Sequence, residues 1–221
     1  MLDDADMDLA VDIAVEQFDN AGQVCLKGAR LLVDAKIAEE FTQRVLDKAR
    51  TLKQGDPRDL TSDVSALITR KHFDTVDGFV QRAKADGARV LMGGGPNDEL
   101  GGLFYSPTIL ADCPEGSEIL TEEVFGPVLT IETFDGDEAG VAMANDTRFG
   151  LAATLVTSDP ERAERVSAQL RAGTVWVNCF FVRDLGAPFG GSGRSGIGRE
   201  GGIWSFDFYC DVKNSVFAPS N

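Results

Sequence analysis

Arg30-Leu31-Leu32-Val33-Asp34-Ala35-Lys36-Ile37-Ala38-Glu39-Glu40-Phe41-Thr42-Gln43-Arg44-Val45-Leu46-Asp47-Lys48-Ala49-Arg50-Thr51-Leu52 holds two periodicities side by side. Arg30–Val33 is a short apolar run that predicts a strand. From Ile37 to Leu52 the apolar residues Phe41, Val45, Ala49 and Leu52 fall at helical spacing, which predicts an amphipathic helix. Gly55-Asp56-Pro57 then supplies a turn.

The same alternation extends in both directions. Upstream, Asp6 to Asp19 reads as a helix. Downstream come a helix over Thr69–Ala85, a strand over Arg89–Met92 and strands over Phe104–Leu110 and Leu129–Phe134. A short helix at Glu138–Asn145, a strand at Ala152–Val156, a helix at Glu161–Arg171 with Pro160 in its first turn, and a strand at Thr174–Val177 complete the pattern. Repeated strand–helix units predict an α/β fold with a largely parallel sheet flanked by helices. After a glycine-rich stretch from Gly186 to Gly202, Phe206–Phe217 reads as a terminal extended segment. With no hairpin partner after it, this segment is expected to pair with another chain as an oligomerisation strand.

Composition narrows the classes of function. At 221 residues the chain is long enough to bury roughly 70% of its unfolded surface. Its net charge is −15, with seven Lys and fourteen Arg against twenty-three Asp. Such a field repels a phosphate backbone, so nucleic acid is not an expected partner. The acids are spread along the chain, as on a solvated surface suited to a salty cytoplasm. Apolar runs such as Thr174–Val177 and Phe180–Val182 are far shorter than the ~20 residues of a membrane span. Met1-Leu2-Asp3-Asp4 lacks the basic and apolar regions of a secretory signal, so a cytoplasmic location is expected. Cys25, Cys113, Cys179 and Cys210 share no metal-ligand spacing, and His72 is the single histidine. No metal site is expected, and the cysteines read as free thiols.

Four stretches carry candidate chemistry. In Gly22-Gln23-Val24-Cys25 a cysteine follows a helix and a glycine turn. There backbone N–H groups can stabilise a thiolate or an oxyanion. The alternative is a buried filler. In Thr121-Glu122-Glu123-Val124-Phe125-Gly126-Pro127-Val128, paired carboxylates beside a rigid turn can hold ribose hydroxyls, or simply face water. Asn178, at a strand end, can donate its amide into a site or terminate the strand. Pro188 to Glu200 is rich in glycine but lacks the lysine of a P-loop and the strand–glycine–helix order of a dinucleotide fingerprint. It reads as a site wall or a packing loop.

Taken in order, these segments resemble the aldehyde dehydrogenase family along essentially the whole chain. The matching stretches are Asp3-Asp4-Ala5-Asp6, Phe18 to Cys25, Gly55-Asp56-Pro57, Phe104 to Thr108, Glu122 to Val128 and Ala144-Asn145-Asp146. They continue with Phe149 to Ala152, Val177-Asn178, Pro188 to Gly191 and Ser195 to Glu200. The resemblance implies that Cys25 attacks an aldehyde and carries a thioester, with its backbone N–H on the oxyanion. It implies that Glu123 and Phe125 contact NAD or NADP on the nicotinamide side, and that the substrate is a small aldehyde. Asn178 to Leu185 and Trp204 to Phe208 look like the branch acting on muconate-type semialdehydes. Asn178 and Arg183 are then substrate-binding residues, with Arg183 clamping a carboxylate. A salt bridge to Asp184 or another surface acid is the alternative for Arg183.

The family's general-base glutamate, oxyanion asparagine and cofactor glycine turn would fall before Met1. His72 reads as a surface residue on a helix rather than a substitute base. The resemblance thus divides the chain into a catalytic domain over 1–205 and an oligomerisation segment over 206–221. It leaves three expectations: a dehydrogenase completed by a dinucleotide-binding polypeptide or acting as a homo-oligomer, a non-catalytic oligomerising remnant, and a cofactor-independent thiol esterase. The isolated chain is expected to be inactive towards aldehydes.

Overall fold

In the computed structural model, residues 1–219 are described. A helix α1 (Met7–Glu16) is followed by a 3-10 turn at Asp19–Gly22 and by β1 (Arg30–Asp34). Then come α2 (Ala38–Ala49), α3 (Arg70–Ala85), β2 (Arg89–Met92), β3 (Thr108–Ala111), a one-turn α4 (Glu118–Thr121) and β4 (Val128–Phe134). The chain ends with α5 (Gly136–Asn145), β5 (Ala152–Leu155), α6 (Pro160–Ser167), β6 (Thr174–Val177) and α7 (Trp204–Tyr209). No helix among the described residues is long and apolar enough to cross a membrane.

Local chemistry sets the helix starts. Asp6 accepts the Leu9 N–H at 3.1 Å and Thr69 Oγ1 the His72 N–H at 3.1 Å, each satisfying a donor that the first turn leaves free. Helix α2 turns Phe41, Val45, Leu46 and Ala49 inward, and α3 does the same with Phe73, Val76, Val80 and Ala83. These residues join Phe18, Val33, Ile109, Leu110 and Leu129 in one core.

The main sheet has the order β1-β4-β3-β2, with β1, β4 and β3 parallel and β2 antiparallel at the edge. Strands β5 and β6 form a separate parallel pair. Two residues bridge the sheets. Met1 N donates to Leu32 O and Asp34 N to Met1 O on the β1 side, while Leu2 N donates to Val156 O just beyond β5. Arg162 fastens the same region from α6, reaching Asp3 at 2.6 Å, Asp4 at 2.8 Å and Asp137 at 2.5 Å.

Three expectations need correction. The strand predicted over Phe104–Leu110 begins only at Thr108, because Pro107 has no N–H to give a ladder. The helix predicted over Glu161–Arg171 stops at Ser167. There Asn145 captures the chain, taking Arg171 N and donating to Gln169 O, both at 2.8 Å. The extended segment predicted over Phe206–Phe217 is helical through Tyr209. Phe208 packs against Gly198, where any side chain would collide with its ring. Residues 211–219 form no strand, since a strand needs a ladder partner and none exists among the described residues. Val212, Val216 and Phe217 are exposed. Residues 220–221 of the expected oligomerisation segment lie outside the described residues.

Candidate active site

Cys25 owes its position to a tight reversal after α1. Asn20, Ala21 and Gly22 all take left-handed backbone, with φ of 49°, 54° and 67°. Local bonds hold this conformation, which is costly for non-glycine residues. Asp19 Oδ1 accepts Asn20 N at 2.7 Å, and Asn20 and Gln23 exchange amide bonds to each other's carbonyls at 3.1 Å. Gln23 Oε1 also accepts Ile68 N at 3.0 Å, anchoring the reversal ahead of α3.

A turn closed by Lys27 N on Val24 O at 3.1 Å follows. Its two central residues part company: Leu26 is buried and Cys25 is exposed. The apolar neighbour fixes the turn and the thiol is displayed. Among the described residues the Cys25 N–H has no protein partner, so it remains available as a donor.

The second half of the site is the loop between α4 and β4. Glu122 pairs with Arg148, Glu123 is exposed, and buried Val124 anchors the loop. Phe125 has φ of 54° and a partly exposed ring. Its carbonyl is held by His72 Nε2 at 2.7 Å, so that nitrogen carries the proton and donates. The His72 and Phe125 rings meet edge-on at 6.2 Å. Gly126 then presses on Gly22, where no side chain fits.

Lys27 crosses from the thiol turn to this loop, donating to Gly126 O at 2.5 Å and Val128 O at 2.6 Å. Burial pushes its ammonium down to about 7, with the charge of Glu123 opposing the shift. Sequence reasoning missed Lys27, for which the available signal was a lone lysine between Leu26 and Gly28. It read His72 as a surface residue, whereas the ring is half-buried and holds the Phe125 carbonyl.

Cys25, Lys27 and Glu123 share one cleft of about 470 Å³, which continues between the facing edges of β1 and β5. Arg194 and Ser195 bring the glycine-rich loop to its wall. That loop is tied internally by Arg199, whose guanidinium donates to Gly191 O at 2.6 Å and Gly198 O at 2.7 Å. Phe125, Asn178 and Arg183 do not line this cleft. The Asn178 amide is occupied at both ends by Thr157, accepting its N–H at 3.0 Å and donating to its C=O at 2.8 Å. Arg183 stacks its guanidinium on Phe189 at 4.4 Å, and among the described residues no carboxylate pairs with it. Asp184 instead accepts Gly186 N.

The other three thiols do not line this cleft. Burial pushes the Cys113 thiol up to about 11, helped by Glu132 and Asp112, so it is protonated and unreactive at neutral pH. Cys179 is half-buried and Cys210 exposed. No group of three or more metal-ligating side chains converges among the described residues.

The family model for the aldehyde dehydrogenase family matches residues 1–215, and the chain belongs to that family. It is 41% identical over 218 residues to a 2-aminomuconic semialdehyde dehydrogenase of Danio rerio, covering 96% of this chain and 45% of that protein. It is 44% identical over 216 residues to a 2-hydroxymuconic semialdehyde dehydrogenase of Pseudomonas sp. (strain CF600), covering 96% and 44%. Among solved structures, betaine aldehyde dehydrogenase from Staphylococcus aureus in complex with NAD+ superposes with a TM-score of 0.91 at 38% identity. That match covers 94% of this chain and 42% of the other. The chain therefore spans less than half the length of these relatives.

Proposed function

We propose that this chain is the thiol-bearing part of an NAD(P)-dependent dehydrogenase that oxidises a carboxylated semialdehyde to the acid through Cys25. The observation that carries this reading is the displayed Cys25 thiol sharing one cleft with the exposed Glu123 carboxylate. The semialdehyde class rests on the two muconic semialdehyde dehydrogenases to which the chain is similar.

Cys25 Sγ adds to the aldehyde carbon, and the oxygen that becomes anionic is met by the free Cys25 N–H. NAD(P), when bound, supplies the two-electron acceptor for the tetrahedral carbon held on this sulfur. The acyl group left on Cys25 is released when water attacks it and the thiolate departs, a step for which sulfur is a far better leaving group than a hydroxyl oxygen. The residues present fit the nicotinamide-ribose end of such a cofactor. Glu123 offers a carboxylate to vicinal hydroxyls, and Phe125 presents a ring to a flat heterocycle on the adjoining loop. Asn178 ties β6 to Thr157 through both ends of its amide, which fixes the strand end beside the proposed substrate residues.

The test is reduction of NAD+ by the purified chain with a muconate-type semialdehyde, alone and together with a dinucleotide-binding polypeptide from such a dehydrogenase. Turnover is expected only in the mixture. Turnover by the chain alone would show that its own residues supply the base and cofactor cradle. Silence in both arms, with an unreactive Cys25, would favour a non-catalytic oligomerising remnant, to which the exposed Phe206, Tyr209 and Phe217 would belong.

Arg183 is the proposed carboxylate clamp, since among the described residues no carboxylate pairs with its planar fork and Phe189 orients it. In the active assembly, Arg183→Ala is expected to lower kcat/KM for a carboxylated semialdehyde by roughly 30-fold, the scale of one charge-assisted pair. A neutral aldehyde of similar size should lose less than about threefold. Equal losses for the two substrates would remove the clamp.

A further inference from the structure

Strands β1 and β5 each stand at the edge of a sheet, β1 with β4 on one side and β5 with β6. The bonds to those neighbours fix which backbone groups are already used. Thr130 N donates to Ala29 O, while Thr174 N and Asn178 N donate to Leu151 O and Leu155 O. The odd-numbered residues of both strands therefore serve their own ladders. The even-numbered ones point the other way: Arg30, Leu32 and Asp34 on β1, and Ala152, Thr154 and Val156 in and just beyond β5.

Met1 and Leu2 show what fits between these two rows. Met1 N donates to Leu32 O at 2.8 Å and Asp34 N donates to Met1 O at 3.0 Å, the paired bonds of a parallel bridge opposite Val33. On the other side Leu2 N donates to Val156 O at 3.1 Å. At that end the gap is one strand wide. Beyond it, Arg30 O, Leu32 N and both backbone groups of Thr154 have no partner among the described residues, and the gap opens into the cleft. Both faces of the gap are already apolar. Leu31, Val33 and Val156 join Ile13 of α1 in one core, whereas Leu32 and Leu155 meet Val141 of α5 and Val166 of α6 in another.

We propose that the gap between β1 and β5 is a docking slot for one extended apolar strand of a second polypeptide, parallel to both and joining the two sheets into one. This rests on the reading that a second polypeptide completes the dehydrogenase, and it says where that polypeptide takes hold. The two relatives described above hold more than half their length outside the matched part, so a partner drawn from one has chain to supply a strand. Continuing the register of Met1 and Leu2, the incoming strand donates to Arg30 O and Thr154 O and accepts from Leu32 N and Val156 N. Its side chains enter the two cores alternately, so it is apolar on both faces, as a central parallel strand is. Backbone bonds give the affinity and the two cores select the side chains.

The experiment follows amide hydrogen exchange in the full chain by nuclear magnetic resonance. The probe is a capped peptide of about six valine and isoleucine residues flanked by lysines for solubility. Exchange at Leu32, Thr154 and Val156 is expected to slow by about tenfold or more when the peptide is added. Leu31, Val33, Ala153 and Leu155, already in their ladders, should change little. The same peptide N-methylated at alternate amides cannot donate on one side and should lose the effect. Unchanged exchange at the even-numbered amides would overturn the proposal, as would equal slowing of odd and even ones or equal slowing by the methylated peptide. Protection that rises with the chain's own concentration and needs no peptide would put a second copy in the slot instead. Protection by NAD+ or a small aldehyde alone would assign the gap to a ligand, and either result would overturn the proposal. Turnover in the two-polypeptide mixture with these amides left unprotected would sink the slot and keep the dehydrogenase reading. Protection by the peptide with no turnover in any assembly would do the reverse.

Discussion

Replacement of Cys25 by serine is expected to lower aldehyde oxidation by the active assembly by a factor on the order of 10³ or more. A serine hydroxyl at this position is a far weaker nucleophile than the cysteine thiol, because it ionises far less readily and its oxygen is less polarisable. The oxygen that did add would also depart less readily than sulfur when water attacks the acyl group. Fold should be unaffected, since the side chain is exposed and the turn is anchored by Leu26. The check is kcat/KM beside a thermal unfolding curve. A serine variant within tenfold of the parent would mean that Cys25 is not the nucleophile.

Gly22→Ala should be the most damaging small substitution in the same region. Gly22 has φ of 67°, so a Cβ introduces backbone strain of about 1 kcal/mol. The new methyl would also meet Gly126 O and C well inside van der Waals contact, and these are backbone atoms that cannot swing aside. Together the two effects are expected to cost about 3 kcal/mol of folding stability, in the range of overpacked core sites. Gly87→Ala is the matched control: its φ is 105° but nothing lies within 4 Å of the added atom. That change should cost only about 1 kcal/mol, the conformational share. Denaturant unfolding of both variants separates strain from collision. Equal losses would show that Gly22 is not in steric contact with the Gly126 turn.

Elements whose order comes from their own periodicity were legible in the chain. Helix α2 keeps Phe41, Val45 and Ala49 on the buried face that their spacing predicts, and β2 and β6 occupy the predicted residues. Elements that depend on distant partners were not. Phe206 to Phe217 reads as extended, yet Phe208 finds Gly198 and the backbone coils into a helical turn through Tyr209. Asn145 ends α6 from 24 and 26 residues away, a contact with no local signature. The site divides along the same line. Cys25 and Glu123 belong to motifs, and the fold sets them on one cleft. The supports of their loops, Lys27 and His72, act across 99 and 53 residues on backbone carbonyls, which no residue pattern encodes.

The carbonyl of Phe125 is gripped by His72 and that of the next residue by Lys27, so the aromatic ring is held in place by α3 and by the thiol turn before anything lands on it. A flat ligand docking there would meet a template that is already rigid. Its affinity would be set by surface removed from water, with little entropy lost in ordering the loop. Heat capacity changes should then dominate the calorimetric signature of binding, and a partner that reaches the ring would be sensed at both ends of the loop through two hydrogen bonds.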